Sequence, residues 1–372
     1  MKKIKILYTI PNFDTAGSGK ALLNVALGLD KEQFEPHILC LHDKGVFFET
    51  VKESGIPIHI FNYLPKERPI LKMLRDCWKV SRKLKAINPD VIHSFHYSSN
   101  YTEALSAKMA GIRWTFTKKN MSWGGSSANS WKLRSFLAQK IIVQNTDMEQ
   151  QFYSKSNKTT LIPRGVVVDK FKAEAPRLEI KTKMNTLPEQ RVLICVANFV
   201  PVKGIETLIE AFNQIQEQHS NWVLWLVGDT QNDYGKMLQE KVAALAISHK
   251  IIFSGKQLEV KPYLDHAELF VLPTLNEGRK EGSPVALLEA MANGKVVVGS
   301  DISGIKDQLS NFPEHLFEAK NPKELADKLQ HFMMLSKKDL QELGQQFYVW
   351  VASNYSISLE IKKHEKFYLS LL

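Results

Sequence analysis

The chain has 372 residues, of which 44% are hydrophobic and 24% are charged. This composition is that of an ordinary soluble protein, long enough for two domains with separate cores, and it excludes a disordered chain. The first residues have too short an apolar run for a signal peptide, and no apolar stretch is long enough to span a bilayer, so we expect a cytoplasmic protein.

The charge is unevenly distributed along the chain. Residues 1–186 contain 30 Lys and Arg against 16 Asp and Glu, whereas the remainder contains 19 against 23. A basic half is typical of proteins that contact nucleic acid, an anionic membrane or acidic metabolites, and charge alone does not choose among these. Nucleic acid is the least favoured partner, because the aromatic residues are not interleaved with a basic stripe.

Apolar runs alternate with helical patterns at the spacing of parallel α/β units. The predicted strands are Ile4–Ile10, His37–Leu41, Pro57–Phe61, Val91–Phe95, Trp114–Thr117, Ile141–Gln144, Val192–Ala197, Trp222–Val227, Ile251–Ser254, Leu269–Leu272 and Val296–Gly299. Predicted helices include Lys20–Leu29, Ile70–Ile87 and a last helix from Leu359 to Leu372.

The fold class that this pattern predicts is α/β, with two doubly wound domains that face a central cleft. Residues 1–172 form the first domain, the polar segment 173–190 is a linker, and residues 191–356 form the second domain. We expect residues 357–372 to pack back on the first domain. Cys40, Cys77 and Cys195 are isolated in apolar contexts, which predicts buried free thiols.

The first predicted strand leads into Gly17-Ser18-Gly19-Lys20 and a helix. A P-loop would need Gly at the position of Asp14 and a hydroxyl at the position of Ala21, so we reject a nucleotide triphosphatase. A small-residue turn at a helix N-terminus remains, where Gly17 would let a phosphate or sugar approach the backbone. A plain tight turn explains the same residues equally well.

Residues 281–294 have the pattern of a capped helix. Ser283 is the expected N-cap, Pro284 suits the first helical position, and Gly294 is placed to end the helix. Glu281 precedes the cap and Glu289 lies about two turns along the helix. A helix N-terminus after a Gly-Ser turn is an anion site, and the anion that we expect is a diphosphate.

These segments together resemble the retaining glycosyltransferases of family 4, which have the GT-B fold. The resemblance covers most of the chain and is carried by Ala16–Ala26, Pro89–His96, Ile162–Val166, Pro201–Phe212 and above all the glutamate pair of 281–294. It implies a sugar transfer from a nucleoside diphosphate sugar to a hydroxyl of a glycan or a lipid-linked intermediate, in the assembly of a surface polysaccharide or glycolipid.

The resemblance also implies roles for particular residues. Glu289 would hold the ribose hydroxyls, Glu281 would contact the donor sugar, and Lys203 would neutralise the departing diphosphate. The predicted donor-binding residues are Gly17, Asn198, Lys203, Glu281, Gly282, Ser283, Pro284, Val285 and Glu289, and the predicted catalytic residues are Glu281, Lys203 and His96. Neither a cofactor nor a metal is expected.

The chain departs from the family pattern at Asn198, where many relatives carry Arg. Asn donates hydrogen bonds to phosphate without adding charge. Two nearby pairs are candidates to supply the missing cation: Arg279–Lys280 beside the motif, or Lys118–Lys119 of the first domain. We assign Lys118, Lys119 and His96 to the acceptor side.

His93 and His96 end the fourth predicted strand. They are a poor metal pair, because residues three apart on a strand point to opposite faces and no third ligand is obvious. His93 is expected to be structural. His96 lies nearer the loop, where contact with the sugar or the acceptor and a structural role are equally supported.

Residues 70–85 have the pattern of a basic amphipathic helix. An ordinary helix packed on its sheet accounts for the apolar stripe. The basic exterior leaves open a contact with the anionic inner face of a membrane, where a lipid-linked acceptor would be met.

Two other functions stay open at this point. A nucleotide-sugar epimerase has the same architecture but needs acid and base groups around the sugar that the sequence does not reveal. A nonenzymatic nucleotide-sugar-binding protein is suggested by Asn198. The nucleotide base, the donor sugar, the acceptor, the linkage and the oligomeric state are not determined by the sequence.

Overall fold

The computed structural model describes residues 2–14, 16–123, 127–278 and 282–372. The chain divides into two compact units. The first unit comprises Met1–Pro163 and Ile357–Leu372, and the second unit comprises Arg164–Ser356.

In the described part of the first unit, the strands form one parallel sheet of seven strands. They are β1 (Ile4–Thr9), β2 (Phe34–Cys40), β3 (Ile58–Ile60), β4 (Val91–Ser94), β5 (Arg113–Lys118), β6 (Lys140–Val143) and β7 (Thr159–Leu161). Their order is β3-β2-β1-β4-β5-β6-β7, so the winding direction reverses between β1 and β4. Ile6 and Tyr8 enter one core and Leu7 the other, because successive side chains of a strand point to opposite faces.

The second unit has a parallel sheet of six strands in the residues that the structure describes. They are β8 (Arg191–Val196), β9 (Trp222–Val227), β10 (Ile251–Gly255), β11 (Leu269–Leu272), β12 (Val296–Ser300) and β13 (Leu316–Phe317). Their order is β10-β9-β8-β11-β12-β13, so the winding direction reverses between β8 and β11. Both faces of this sheet are covered, which explains why its strands are almost continuously apolar.

Helices connect the strands of both sheets. In the first unit they are α1 (Ala16–Gly28), α2 (Phe48–Glu53), α3 (Ile70–Ile87), α4 (Thr102–Ala110), α5 (Ala128–Leu137) and α6 (Thr146–Tyr153). In the second unit they are α7 (Val168–Phe171), α8 (Leu178–Lys183), α9 (Ile205–Ile215), α10 (Asp233–Ala243), α11 (Lys261–His266), α12 (Val285–Ala292), α13 (Ile305–Gln308), α14 (Pro322–Met333) and α15 (Lys337–Asn354). The last helix is α16 (Ile357–Leu369). Among the described helices, none is both long and apolar enough to cross a membrane.

Helix α16 packs back on the first unit, as predicted. The hydroxyl of its buried Tyr368 lies 2.7 Å from Nδ1 of His93 and donates to the hydroxyl of Tyr8 over 3.0 Å. Gly28 lets α1 and α16 approach closely, because a Cβ on it would lie 2.1 Å from Cδ1 of Ile361. The last helix therefore completes the core of the first unit.

The eleven predicted strands are all present, with ends that move by up to three residues. Two strands were not predicted. β7 has the sequence Thr-Thr-Leu and β13 has only two residues, so neither shows the apolar run that identifies a buried strand. The three cysteines are buried and free, as predicted.

The predicted linker differs from the observed division of the chain. The units divide at Pro163 and Arg164 rather than at residue 172, and residues 173–190 belong to the second unit. This segment contains α8, and its Met184 is buried in the core against which Ile180 also packs. Two apolar residues four apart attach this segment to the core, and most of its other residues are polar or exposed.

Gly204 is the N-cap of α9, in the loop after β8, and its backbone conformation can be tested by substitution. Its φ is +61°, and a Cβ on it would lie 2.2 Å from the carbonyl oxygen of Pro273. Gly255 has a similar φ of +70° but open space around a Cβ. We expect Gly255→Ala to cost about 1–2 kcal/mol from backbone strain alone, and Gly204→Ala to cost clearly more because the carbonyl must also move. Urea denaturation of both variants measures the difference, and equal losses of stability would contradict the close contact.

Candidate active site

The second unit has a candidate ligand site where its sheet reverses winding direction. Ligands of doubly wound sheets bind outside the carboxyl ends of the strands at such a point. The loops after β8 and β11 contact each other here, because the backbone N–H of Leu275 donates to the carbonyl of Val202 over 2.7 Å. Gly204 is required at the same contact with Pro273.

Lys203 lies in the loop after β8 and is buried. It ends a short 3-10 helix, Pro201–Lys203. Burial raises the pKa of the Cys195 thiol to about 12, and the charge of Lys203 partly opposes this increase, so the ammonium lies near the strand end. Asn198 is exposed in the same loop and contributes no charge. The buried ammonium is thus a fixed positive charge at the edge where an anionic ligand would bind.

Helix α12 begins one residue later than predicted. Its N-cap is Pro284, whose ψ of 117° is extended, and its first helical residue is Val285. Ser283 does not cap the helix: its hydroxyl oxygen accepts hydrogen bonds from the backbone N–H of Arg164 at 3.3 Å and from Nε2 of Gln308 at 3.0 Å. The prediction that Ser283 is the N-cap was therefore wrong, because this hydroxyl is engaged with two other segments.

The segment before α12 is supported by the segment after β12. Gly304 has a φ of +83°, and a Cβ on it would lie 2.5 Å from the carbonyl oxygen of Gly282. Only glycine combines this conformation with this contact at low cost. The backbone of Gly282, which is buried, is thus held in place beside the start of α12.

Of the two glutamates predicted to bind the donor, only Glu289 is among the described residues. Glu289 lies on α12 and is partly buried, in the helix predicted for it. Glu281, Arg279 and Lys280 lie outside the described residues. The catalytic role of Glu281 and the replacement of the missing cation by Arg279 or Lys280 stay predictions.

Two buried polar side chains in this region were not identified from the sequence. Thr274 follows β11 and Gln308 ends α13, and each is only 1% exposed. Neither Oγ1 of Thr274 nor Oε1 of Gln308 has a hydrogen-bond partner in the described part of the chain. Since buried polar atoms are usually paired, both atoms are candidates to bind a ligand. The position of Thr274 after a strand was a usable signal, whereas nothing in the sequence identified Gln308.

The first unit has a corresponding region between β1 and β4. Helix α1 already includes Gly17, so this residue lies in the first helical turn rather than before the helix. A Cβ on Gly17 would meet nothing within 4 Å, whereas one on Gly19 would lie 2.7 Å from the ring of Phe13. Gly17 is therefore open to a ligand and Gly19 is a packing residue. The hydroxyl of Ser18 donates to that of Tyr97 over 2.7 Å, which links α1 to the segment after β4.

His96 lies in the same segment and is partly buried. Burial lowers the pKa of its imidazole to about 3, and the charges of Arg134 and Lys119 contribute to this shift. Its Nδ1 lies 3.3 Å from the hydroxyl of Ser98. At neutral pH the ring is therefore uncharged and suited to hydrogen bonding rather than to neutralising an anion.

His93 is structural, as predicted. It is fully buried, and its two ring nitrogens lie 2.7 Å from the hydroxyl of Tyr368 and 2.8 Å from that of Thr117. Among the described residues, no group of three or more His, Cys, Asp or Glu side chains is arranged to hold a metal ion. Metal-independent chemistry stays a prediction.

Arg134 on α5 was not identified from the sequence, yet it fixes the segment that carries His96. Its side chain is fully buried and donates to the carbonyl of Asn100 at 2.7 Å, to the hydroxyl of Ser94 at 3.1 Å and to the carbonyl of His96 at 3.4 Å. Ser94 in turn donates to the carboxylate of Glu103 over 2.7 Å. The buried cation thereby joins the end of β4 to α4 and α5.

Lys118 does not supply the positive charge that is missing at Asn198. It is fully buried, and its ammonium donates to the carbonyl and side-chain oxygens of Asn120 at 2.6 and 2.8 Å and to the carbonyl of Ser122 at 2.6 Å. It also lies 4.3 Å from the ring centre of Trp131. These bonds occupy the three donors of an ammonium, so the hypothesis that Lys118 replaces the cation missing at Asn198 is wrong.

Lys119 differs from its neighbour in exposure. Its ammonium donates to the carbonyl of Phe95 over 2.6 Å and lies 4.5 Å from the ring centres of Phe95 and Tyr97. The side chain is only partly buried. Lys119 thus carries positive charge to the segment after β4, beside His96.

Comparisons with known proteins identify both units. The family model described as Glycosyltransferase Family 4 matches residues 15–170, and the model described as Glycosyl transferases group 1 matches residues 176–348. The two matches together cover most of the chain.

A known relative is the N,N'-diacetylbacillosaminyl-diphospho-undecaprenol alpha-1,3-N-acetylgalactosaminyltransferase of Campylobacter jejuni. The two proteins are 25% identical over 306 residues, which covers 76% of this chain and 78% of the relative.

Solved structures show that the fold is shared over the full length. A glycosyltransferase from Rickettsia africae matches with a TM-score of 0.87 at 18% identity, covering 100% of this chain and 99% of the other. Anabaena HepE in complex with UDP and glucose matches with a TM-score of 0.80 at 17% identity, covering 99% of this chain and 100% of the other. The predicted two-domain GT-B fold is confirmed.

The contrast between Lys118 and Lys119 leads to a stability test. Lys118→Met removes the ammonium donor from the carbonyl oxygens of Asn120 and Ser122 and from Oδ1 of Asn120, so we expect the free energy of unfolding to fall by about 1–3 kcal/mol. Lys119→Met removes a partly exposed ammonium and is the matched control, with a smaller expected loss. Urea denaturation measures both, and a Lys118→Met protein as stable as the unmodified chain would show that its hydrogen bonds contribute nothing.

Proposed function

This chain belongs to the glycosyltransferases of family 4, and on that premise we propose that it moves a sugar from a nucleoside diphosphate sugar to an acceptor hydroxyl, with retention of the anomeric configuration. The observation that carries the proposal is the position of Lys203 and of the start of α12. They follow β8 and β11, adjacent strands at the reversal of the second sheet. A fixed cation and a helix N-terminus are the groups that proteins use to bind a diphosphate.

The proposed chemistry depends on electrostatic stabilisation of the leaving group. Negative charge develops on the diphosphate as the bond between sugar and phosphate breaks. Lys203 and the backbone N–H groups near Gly282 and Val285 offset this charge, and preorganised groups of this kind are usually a large catalytic term. The departing phosphate takes the proton of the acceptor hydroxyl, so no carboxylate nucleophile and no metal is required.

Donor recognition is proposed for the same unit. The carboxylate of Glu289 accepts hydrogen bonds from the two ribose hydroxyls, because its two oxygens match a pair of neighbouring donors. Glu281 contacts the transferred sugar. The unpaired oxygens of Thr274 and Gln308 offer further acceptors beside this site.

A lipid-linked sugar is the proposed acceptor. The Campylobacter jejuni relative is named for a diphospho-undecaprenol-linked substrate. Residues 1–186 have an excess of Lys and Arg that suits an acceptor with a diphosphate group. His96 and Lys119 lie together in the first unit and offer one neutral and one charged hydrogen-bonding group to such an acceptor. The reaction then takes place at the membrane surface that presents the lipid.

A screen of nucleoside diphosphate sugars tests the proposed function. The correct donor should raise the melting temperature by mass action and should be hydrolysed slowly in the absence of an acceptor. With a lipid-linked acceptor, a new glycosidic bond of retained configuration is expected in NMR spectra, also in the presence of a metal chelator. A rearranged free donor, or binding without any turnover, would contradict the proposal.

Glu289→Ala is expected to weaken binding of the nucleoside diphosphate by about tenfold or more, because hydrogen bonds to a charged group contribute about 1.5–3 kcal/mol. Glu210→Ala on α9 is the matched control, since this glutamate is exposed on another helix of the same unit. Isothermal titration calorimetry measures both dissociation constants. Equal affinities of the two variants would remove Glu289 from the donor site.

A further inference from the structure

Helix α3 exposes apolar side chains that its own unit does not bury. Its buried stripe consists of Met73, Cys77, Val80, Ser81 and Leu84. Four other apolar residues remain in contact with solvent: Ile70 is 63% exposed, Leu71 85%, Leu74 39% and Trp78 54%. We call these four residues the apolar ridge.

The apolar ridge continues the buried stripe around the helix. At about 100° per residue, its four members fall within an arc of about 100°. The buried stripe lies on one side of this arc and overlaps it at Ser81, and the exposed cations Lys72, Arg75, Lys79 and Arg82 lie on the other side. A helix that only packs on its sheet needs two sectors, one apolar and one polar. Helix α3 has three.

Positive charge borders the ridge along the whole helix. Residues 66–85 contain eight Lys and Arg against two acidic residues. One of the two, Asp76, lies 3.7 Å from Nε of Arg75. The guanidinium of Arg82 lies 5.3 Å from the ring centre of Trp78, so a cation lies against the aromatic member of the ridge.

We propose that the apolar ridge docks the first unit onto an anionic lipid bilayer. Exposed aliphatic side chains, a tryptophan and neighbouring cations are the combination by which a helix lies in a bilayer interface with its apolar face inserted. A second copy of the chain fits this surface less well, because a two-fold contact between ridges would bring the two cation sectors together. The proposal rests on the proposed function, since a lipid-linked acceptor must be met at a membrane.

Sedimentation with vesicles tests the proposal directly. The full chain is mixed with vesicles of phosphatidylcholine alone or of phosphatidylcholine with phosphatidylglycerol. We expect binding to the anionic vesicles, weakened by salt through screening of the cations. We expect Leu71→Glu and Trp78→Ala each to lower the partition coefficient by about tenfold or more, the fold-change that corresponds to one buried apolar side chain.

The matched control is Leu258→Glu, which changes a loop leucine of the second unit that is 90% exposed. It should partition like the unmodified chain. The proposal is overturned if the chain does not bind anionic vesicles, if the ridge variants bind as well as the control, or if Leu71→Glu instead abolishes a dimer seen by sedimentation velocity.

Activity measurements separate this proposal from the proposed function. Leu71→Glu should retain donor hydrolysis and transfer to a detergent-soluble short-chain acceptor, and should lose transfer to the acceptor embedded in vesicles. If the unmodified chain hydrolyses no nucleotide sugar, the proposed function fails, whatever the vesicle result. If Leu71→Glu transfers to the embedded acceptor at the normal rate, the docking surface fails and the proposed function stands.

Discussion

The reversal of winding direction between β8 and β11 is the constraint on which the second unit depends. On either side of this point the connections leave the sheet toward opposite faces, so the strand ends are left uncovered by a helix. At these strand ends, backbone packs directly against backbone. Gly204 allows a close contact with the carbonyl of Pro273, and Gly304 allows one with the carbonyl of Gly282. Tight backbone contacts leave Lys203 and the start of α12 in fixed positions, which is what a preorganised anion site requires.

In the first unit, buried cations hold loops in fixed positions, as close contacts at glycines do in the second unit. Arg134 and Lys118 are withdrawn from solvent and lie against aromatic rings, and main-chain carbonyls receive most of their hydrogen bonds. Burying a charge is costly unless hydrogen bonds compensate it, so these bonds hold the partner loops of both residues in place, although Nε of Arg134 has no partner among the described residues. Part of the basic excess in this half of the sequence is therefore internal structure rather than surface available to an acidic partner.

The fold could be predicted from the sequence largely because parallel strands buried on both faces leave long apolar runs. The two strands that were not predicted, β7 and β13, are short, and β7 is mostly polar. Residues 173–190 were predicted to be a linker for a similar reason, because two core-facing residues, Ile180 and Met184, are too few to show a helical period.

The site was predictable only in part. Segments with a local signature, such as Gly204 before α9 or Gly294 after α12, take the left-handed conformations that glycine favours. Contacts made at long sequence separation could not be predicted. Ser283 has the composition of an N-cap, but Gln308 and Arg164 engage its hydroxyl, and both are distant in sequence. Lys118 and Lys119 are neighbours of identical type, and only their tertiary surroundings give them different roles.

The return of α16 to the first unit affects the order in which this protein can fold during synthesis. His93 and Tyr8 form hydrogen bonds with the hydroxyl of Tyr368, and this residue is synthesised only after the entire second unit. The second unit is continuous in sequence and can reach its native packing first, whereas the first emerges earlier but stays open along α1 until the last helix arrives. The first unit therefore cannot complete its core until α16 has been synthesised.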